Sequence, residues 1–153
     1  MKKYFMIPAV LLGLSLSLNA AENTSATMTP KMGEFVWNEL ATTNVQGAKD
    51  FYGKVFGWEF VDKKMEDMTY TMIKKDNKEF GGIWAIPAVQ QSQIPPHWLA
   101  YILVENVEQS LEKARQNGAT VVKPVQKAGD MGYFAIIKDP AGAHVALWQS
   151  LKK

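Results

Sequence analysis

Hydrophobic positions along this chain fall into two alternating rhythms, and the same order of rhythms occurs twice. Residues 34 to 42 are read as a strand, and so are 98 to 104, with Ala100, Ile102 and Val104 on one face and Leu99, Tyr101 and Leu103 on the other. Both faces of that second run are apolar, so it is read as a strand covered on both sides. After each run the period changes: Val45, Ala48, Phe51, Tyr52 and Val55 recur at helical spacing, as do Val107, Leu111 and Ala114. Asn44 and Asn106 stand where a side-chain oxygen accepts from the first free helical amides, and Gln109 completes a capping-box spacing. Gly57 and Gly118 are the stops, because glycine enters the left-handed conformation without a Cβ clash. Three short strands follow each helix, at 58 to 64, 68 to 75 and 80 to 86, then at 120 to 124, 132 to 138 and 143 to 149.

Laying 33 to 88 over 96 to 150 supports an internal duplication. Met68-x-Tyr70-x-x-Ile73-x-Lys75-Asp76 matches Met131-x-Tyr133-x-x-Ile136-x-Lys138-Asp139; Asn44-Val45 matches Asn106-Val107, and Trp84 matches Trp148. The predicted fold is α+β: two tandem βαβββ modules, 33–88 and 96–150, forming one curved, barrel-like mixed sheet with two helices outside. Pro87 to Pro96 is the linker between them.

The first twenty residues fit neither rhythm. Lys2 and Lys3 precede an apolar run from Phe5 to Leu18, and Asn19-Ala20-Ala21 supplies small residues for cleavage. The run is shorter than the ~20 residues of a spanning helix, so 1–20 is read as a signal peptide and the protein as exported, periplasmic or secreted, with no membrane association after cleavage. Residues 21–32 are small and polar and read as a flexible tether.

Composition narrows the chemistry. There is no cysteine, hence no disulfide, thiolate metal site or cysteine nucleophile. Without Lys2 and Lys3 the 17 basic residues fall to 15, equal to the acids, and Arg115 is the one arginine. Nucleic-acid binding needs clustered cations, so it is not expected. Nucleophile-elbow, P-loop and dinucleotide patterns are absent as well.

The stretch Phe35 to Trp58 (FVWNELATTNVQGAKDFYGKVFGW) resembles the opening of proteins in the vicinal oxygen chelate superfamily, the glyoxalase, bleomycin-resistance and extradiol dioxygenase group. Phe134 to Trp148 (FAIIKDPAGAHVALW) resembles that group's closing hairpin, and the likeness spans about 33 to 150. It implies an eight-stranded sheet with ligand in its hollow; catalytic members carry metal-binding His and Glu at the first and last strands of the two units. Those positions fall here on Trp37, Gly82, Leu99 and Ala146, none of which can ligate a metal. No metal or other cofactor is therefore expected. The family's paired-unit domains often dimerise, which leaves a homodimer open.

On the inferred inner face the sheet presents Trp37, Glu39, Trp84, Leu99, Tyr101, His144 and Trp148. Aromatic walls with few polar groups suit an apolar or planar small molecule, so Trp37, Trp84, Leu99, Tyr101 and Trp148 are candidate ligand-binding residues. Glu39 is costly to desolvate between Trp37 and Leu40 unless paired, which would raise its pKa and make it a candidate acid or base. His144 is its candidate proton partner. His97 would join Glu39 and His144 in a metal site only if the linker folded back. The leading expectation is a metal-free binder of a small apolar or aromatic molecule rather than an enzyme. The alternative is an enzyme of the same fold, a lyase, isomerase or dioxygenase, working through Glu39 and His144 or an unrecognised metal.

Overall fold

The structure is a computed structural model, and it describes residues 30–65 and 68–151. The signal segment 1–20 and most of the tether 21–32 lie outside those residues. The elements run β1 (Phe35–Thr42), α1 (Val45–Phe56), β2 (Glu59–Lys64), β3 (Thr69–Lys75), β4 (Lys78–Ala85), β5 (His97–Leu103), α2 (Val107–Gln116), β6 (Thr120–Ala128), β7 (Gly132–Lys138) and β8 (His144–Ser150). Strand, helix and three strands thus occur twice in succession. All eight strands join one mixed sheet in the order β2-β3-β4-β1-β5-β8-β7-β6. The sheet curves without closing into a barrel, and β2 and β6 remain its edges.

Local chemistry accounts for the boundaries. Asn44 Oδ1 accepts from the Gly47 amide at 2.8 Å, and Asn106 Oδ1 accepts from the Gln109 amide at 2.9 Å. Gly57, with φ of 64°, closes α1 in the left-handed conformation. In the second helix that role shifts by one residue: Asn117 caps α2, its side chain donating to the Lys113 carbonyl, and Gly118 makes the positive-φ turn beyond it. Strand β6 runs to Ala128, further than the alternation suggests, because β7 pairs with it through two register shifts that absorb Pro124.

Each helix covers one half of the sheet's outer face. Under α1, Leu40, Ile73 and Ile83 are buried with Val45, Ala48 and Tyr52 against them. Under α2, Val107, Leu111, Ala135, Ile137 and Leu147 form the counterpart. Alternation then sends the intervening residues to the other face, where Leu99, Tyr101 and Ala146 are buried with Trp37, Phe134, Ile136 and Trp148 around them. The two helix-side clusters hold the sheet, and this third cluster is the floor of its hollow.

Strand register corrects one element of the repeat. Tyr70 lies opposite Trp84, and Phe134 lies opposite Trp148, so Tyr70 corresponds to Phe134 and not to Tyr133. The Met-x-Tyr match is one residue out of structural register. Because side chains alternate, that slip sends the two matched tyrosines to opposite faces: Tyr70 to the hollow and Tyr133 to the α2 side. The fifth strand also starts one residue before the expected 98, with His97 as the first residue of β5, paired with Ala41.

Candidate functional site

At the centre of the hollow, β1 passes between β4 and β5, and Glu39 lies opposite Gly82 on one side and Leu99 on the other. A carboxylate in that position loses most of its hydration and needs donors. Two tyrosines supply them. Tyr70 Oη donates to Glu39 Oε1 at 2.9 Å from β3, and Tyr101 Oη donates to Oε2 at 2.8 Å from β5. Trp37 Nε1 donates in turn to Tyr70 Oη at 3.0 Å. Glu39, Tyr70, Tyr101 and Trp37 therefore form one hydrogen-bonded chain across three strands that are not consecutive in sequence.

Glycine at 82 is what lets Tyr70 reach the carboxylate. A Cβ at that position would land on the Tyr70 hydroxyl and the end of its ring. Position 82 is also one of the four at which metal-binding relatives would carry a donor, so the phenol occupies the space such a side chain would need. Trp37, Leu99 and Ala146 stand at the other three and offer no donor atom suited to a divalent metal. Among the described residues no three of His, Cys, Asp and Glu come together. These residues do not fit a metal.

Burial raises the Glu39 pKa above its ordinary 4.5; the Tyr101 and Tyr70 hydrogen bonds, and after them the charges of Lys123 and His97, oppose the rise without cancelling it. Burial, and then the charge of Glu39, push both phenols upward, so they remain protonated donors. His97 has its ring tied through Nδ1 to the Pro95 carbonyl at 2.8 Å. Since only an N–H can bond a carbonyl oxygen, that contact places the proton on Nδ1 and leaves Nε2 as the acceptor of the neutral ring.

Of the residues singled out from sequence, Trp37, Glu39, Leu99, Tyr101 and Trp148 are brought into one neighbourhood. Trp84 lies on the same face, opposite Ala41 and Tyr70. His144 lies at the exposed start of β8, opposite Lys138, and the imidazole that bears on Glu39 belongs to His97. Sequence reasoning missed Tyr70, treating it as part of a repeated strand motif, and it missed Lys123. The signal for Tyr70 was Gly82: a glycine in a strand marks a close approach by some other group. A cleft of about 540 Å³ lies on the α1 side and includes Val45, Lys49, Asp62 and Thr71 in its lining. Its charged groups already satisfy one another, with Lys49 bonded to Asp62 at 3.0 Å and Asp62 accepting from Thr71 at 2.7 Å.

A curved sheet of paired βαβββ units, helices outside and an aromatic hollow around a buried carboxylate, defines a glyoxalase-type fold. The chain belongs to the Glyoxalase/Bleomycin resistance protein/Dioxygenase superfamily, whose family model matches residues 32–147. It is 34% identical over 116 residues to the putative glyoxylase CFP32 of Mycobacterium tuberculosis, covering 74% of this chain and 44% of that protein. It is 24% identical over 129 residues to the anthracycline biosynthesis protein DnrV of Streptomyces peucetius, covering 76% and 47%. The chain thus spans about half the length of the curated relatives it matches. Among solved structures, methylmalonyl-CoA epimerase from Mycobacterium tuberculosis shares the fold, with a TM-score of 0.55 at 14% identity over 81% of this chain and 93% of that one.

Two outcomes follow from this geometry. Folding raises the affinity of Glu39 for its proton, so its contribution to stability is most favourable below the unfolded value and is lost as pH rises through the folded one. A Glu39→Gln variant has no such titration. Its melting temperature relative to the parent should be level below about pH 4.5 and should rise above that, as followed by circular dichroism; a difference independent of pH would refute the assignment. Gly82→Ala should force Tyr70 off the carboxylate and cost about 1–3 kcal/mol in denaturant unfolding. Equal stability for that variant would mean that the Tyr70 position is not fixed by the glycine.

Proposed function

We propose that this protein is a metal-free, small-molecule-binding member of the superfamily, holding an apolar or aromatic ligand on the inner face of its sheet. One observation carries the reading: the half-buried Glu39 carboxylate, with a tyrosine hydroxyl on each oxygen, stands beside a floor of Trp37, Leu99, Tyr101 and Trp148. Apolar and stacking contacts supply affinity in such a place, while a few fixed polar groups choose the orientation. Each carboxylate oxygen keeps a second lone pair with which to meet a donor on the ligand.

A second reading is favoured by the raised pKa of Glu39. A carboxyl group poised above its ordinary range is suited to exchange a proton with a bound substrate, which makes Glu39 the candidate acid or base of an isomerase, lyase or dioxygenase. Its imidazole partner would be His97, whose ring is already oriented, or His144 if the start of β8 folds toward a bound ligand. CFP32 is itself described as a putative glyoxylase, which supports keeping this alternative.

Native mass spectrometry of gently purified protein should show a co-purifying organic molecule of low mass and no metal. About one equivalent of metal per chain would overturn the metal-free reading. An empty protein that also ignores a broad panel of aromatic ligands would overturn the binding reading itself. We further propose that the protein is exported, on the strength of Lys2, Lys3 and the apolar run Phe5 to Leu18. Fractionation of bacterial cells expressing the full chain should find it outside the cytoplasm and shortened by about twenty residues; full-length protein retained in the cytoplasm would sink that proposal.

A further inference from the structure

The inner face carries a cation that neither reading of Glu39 has used. Lys123 stands on the edge strand β6, opposite Ile136, and its ammonium lies 5.3 Å from the centre of the Phe134 ring. The Phe134 ring is 6.4 Å from that of Tyr101, and the Tyr101 hydroxyl is bonded to Glu39 at 2.8 Å. Trp148 flanks the same tyrosine with ring centres 6.5 Å apart. Strand β6 is four places from β1 in the sheet order, yet Lys123 acts on the charge of Glu39, because the sheet curls between them. Among the described residues no carboxylate forms an ion pair with Lys123.

The face is therefore a bipolar strip, with an unneutralised ammonium at one end, a carboxyl group at the other and aromatic rings between. A wholly apolar ligand would cover the rings, leave the Lys123 ammonium without a counter-charge and make no use of the second lone pair on each Glu39 oxygen. Resting on the small-molecule reading above, we infer that the ligand is a planar aromatic acid: its anionic group meets Lys123, its ring lies over Phe134 and Tyr101, and a hydroxyl or N–H at its far end donates to Glu39. The ammonium over Phe134 supplies a charge-assisted contact to a carboxylate, and the ring beneath holds it in place.

The test uses the full chain, with 6-hydroxy-2-naphthoate and its uncharged amide as probes in isothermal titration calorimetry. The carboxylate should bind about tenfold tighter than the amide. Lys123→Met should erase that preference while leaving the affinity for the amide unchanged, and Lys123→Arg should retain it. Circular dichroism of both variants establishes that they fold, which an exposed edge position allows. If carboxylate and amide bind the parent equally, or if Lys123→Met keeps the preference, the acid-binding inference fails and the small-molecule reading stands. If neither naphthalene binds, the acid-binding inference fails, and the small-molecule reading falls only if the broad aromatic panel is ignored as well.

Discussion

A carboxylate can be kept inside a sheet only if other groups replace the water it gives up, and much of this protein's inner face follows from meeting that requirement at Glu39. The two hydroxyls that do so come from β3 and β5, on opposite sides of β1. Tyr70 can reach across β4 only because residue 82 has no side chain, and its hydroxyl also receives the indole proton of Trp37. Loss of Glu39, Tyr70 or Tyr101 leaves another part-buried polar group without a partner, a cost of about 1–3 kcal/mol for each group stranded. The cluster is thus a single cooperative unit.

The same arrangement explains how a glyoxalase-type frame can be intact while the metal-binding set associated with it is missing. Gly82 corresponds to a donor position of metal-binding relatives, yet here its space belongs to a phenol. Trp37, Leu99 and Ala146 contribute surface and no lone pairs. The ionisable groups that bear on one another here are Glu39, Lys123 and His97, which lie on β1, β6 and β5 and approach because the sheet is curved. Such a face offers apolar surface and fixed hydrogen-bonding groups, and it includes a carboxyl group whose affinity for its proton is raised by burial.

Two half-structures make this site between them. Glu39 and Tyr101 are related positions in the first strands of the two units, and they bond directly to each other. Tyr70 and Phe134 are related positions in β3 and β7, each opposite a tryptophan of the following strand. One unit carries the acid, the Tyr70 donor and Trp37, while the other supplies the Tyr101 donor and the rest of the floor, Leu99, Phe134 and Trp148. Different residues at matching positions make an asymmetric strip on a sheet whose two halves have the same order of elements.

The sequence by itself determined the order of elements, the helix caps, the glycine stops and the face on which Glu39, Tyr101 and the tryptophans lie. Those features depend on periodicity and on short-range hydrogen bonds, such as Asn44 to Gly47, which act within a few residues of chain. Tertiary structure decided what Glu39 touches. Tyr70 is 31 residues from it and Tyr101 is 62, and the curvature that brings Lys123 within electrostatic reach is a property of eight strands together. The motif containing Tyr70 was visible, but its match to Tyr133 was one residue out of structural register, and in a strand one residue is the difference between the helix side and the hollow. Pairing between strands fixes that register through the packing of whole faces, which no local pattern encodes.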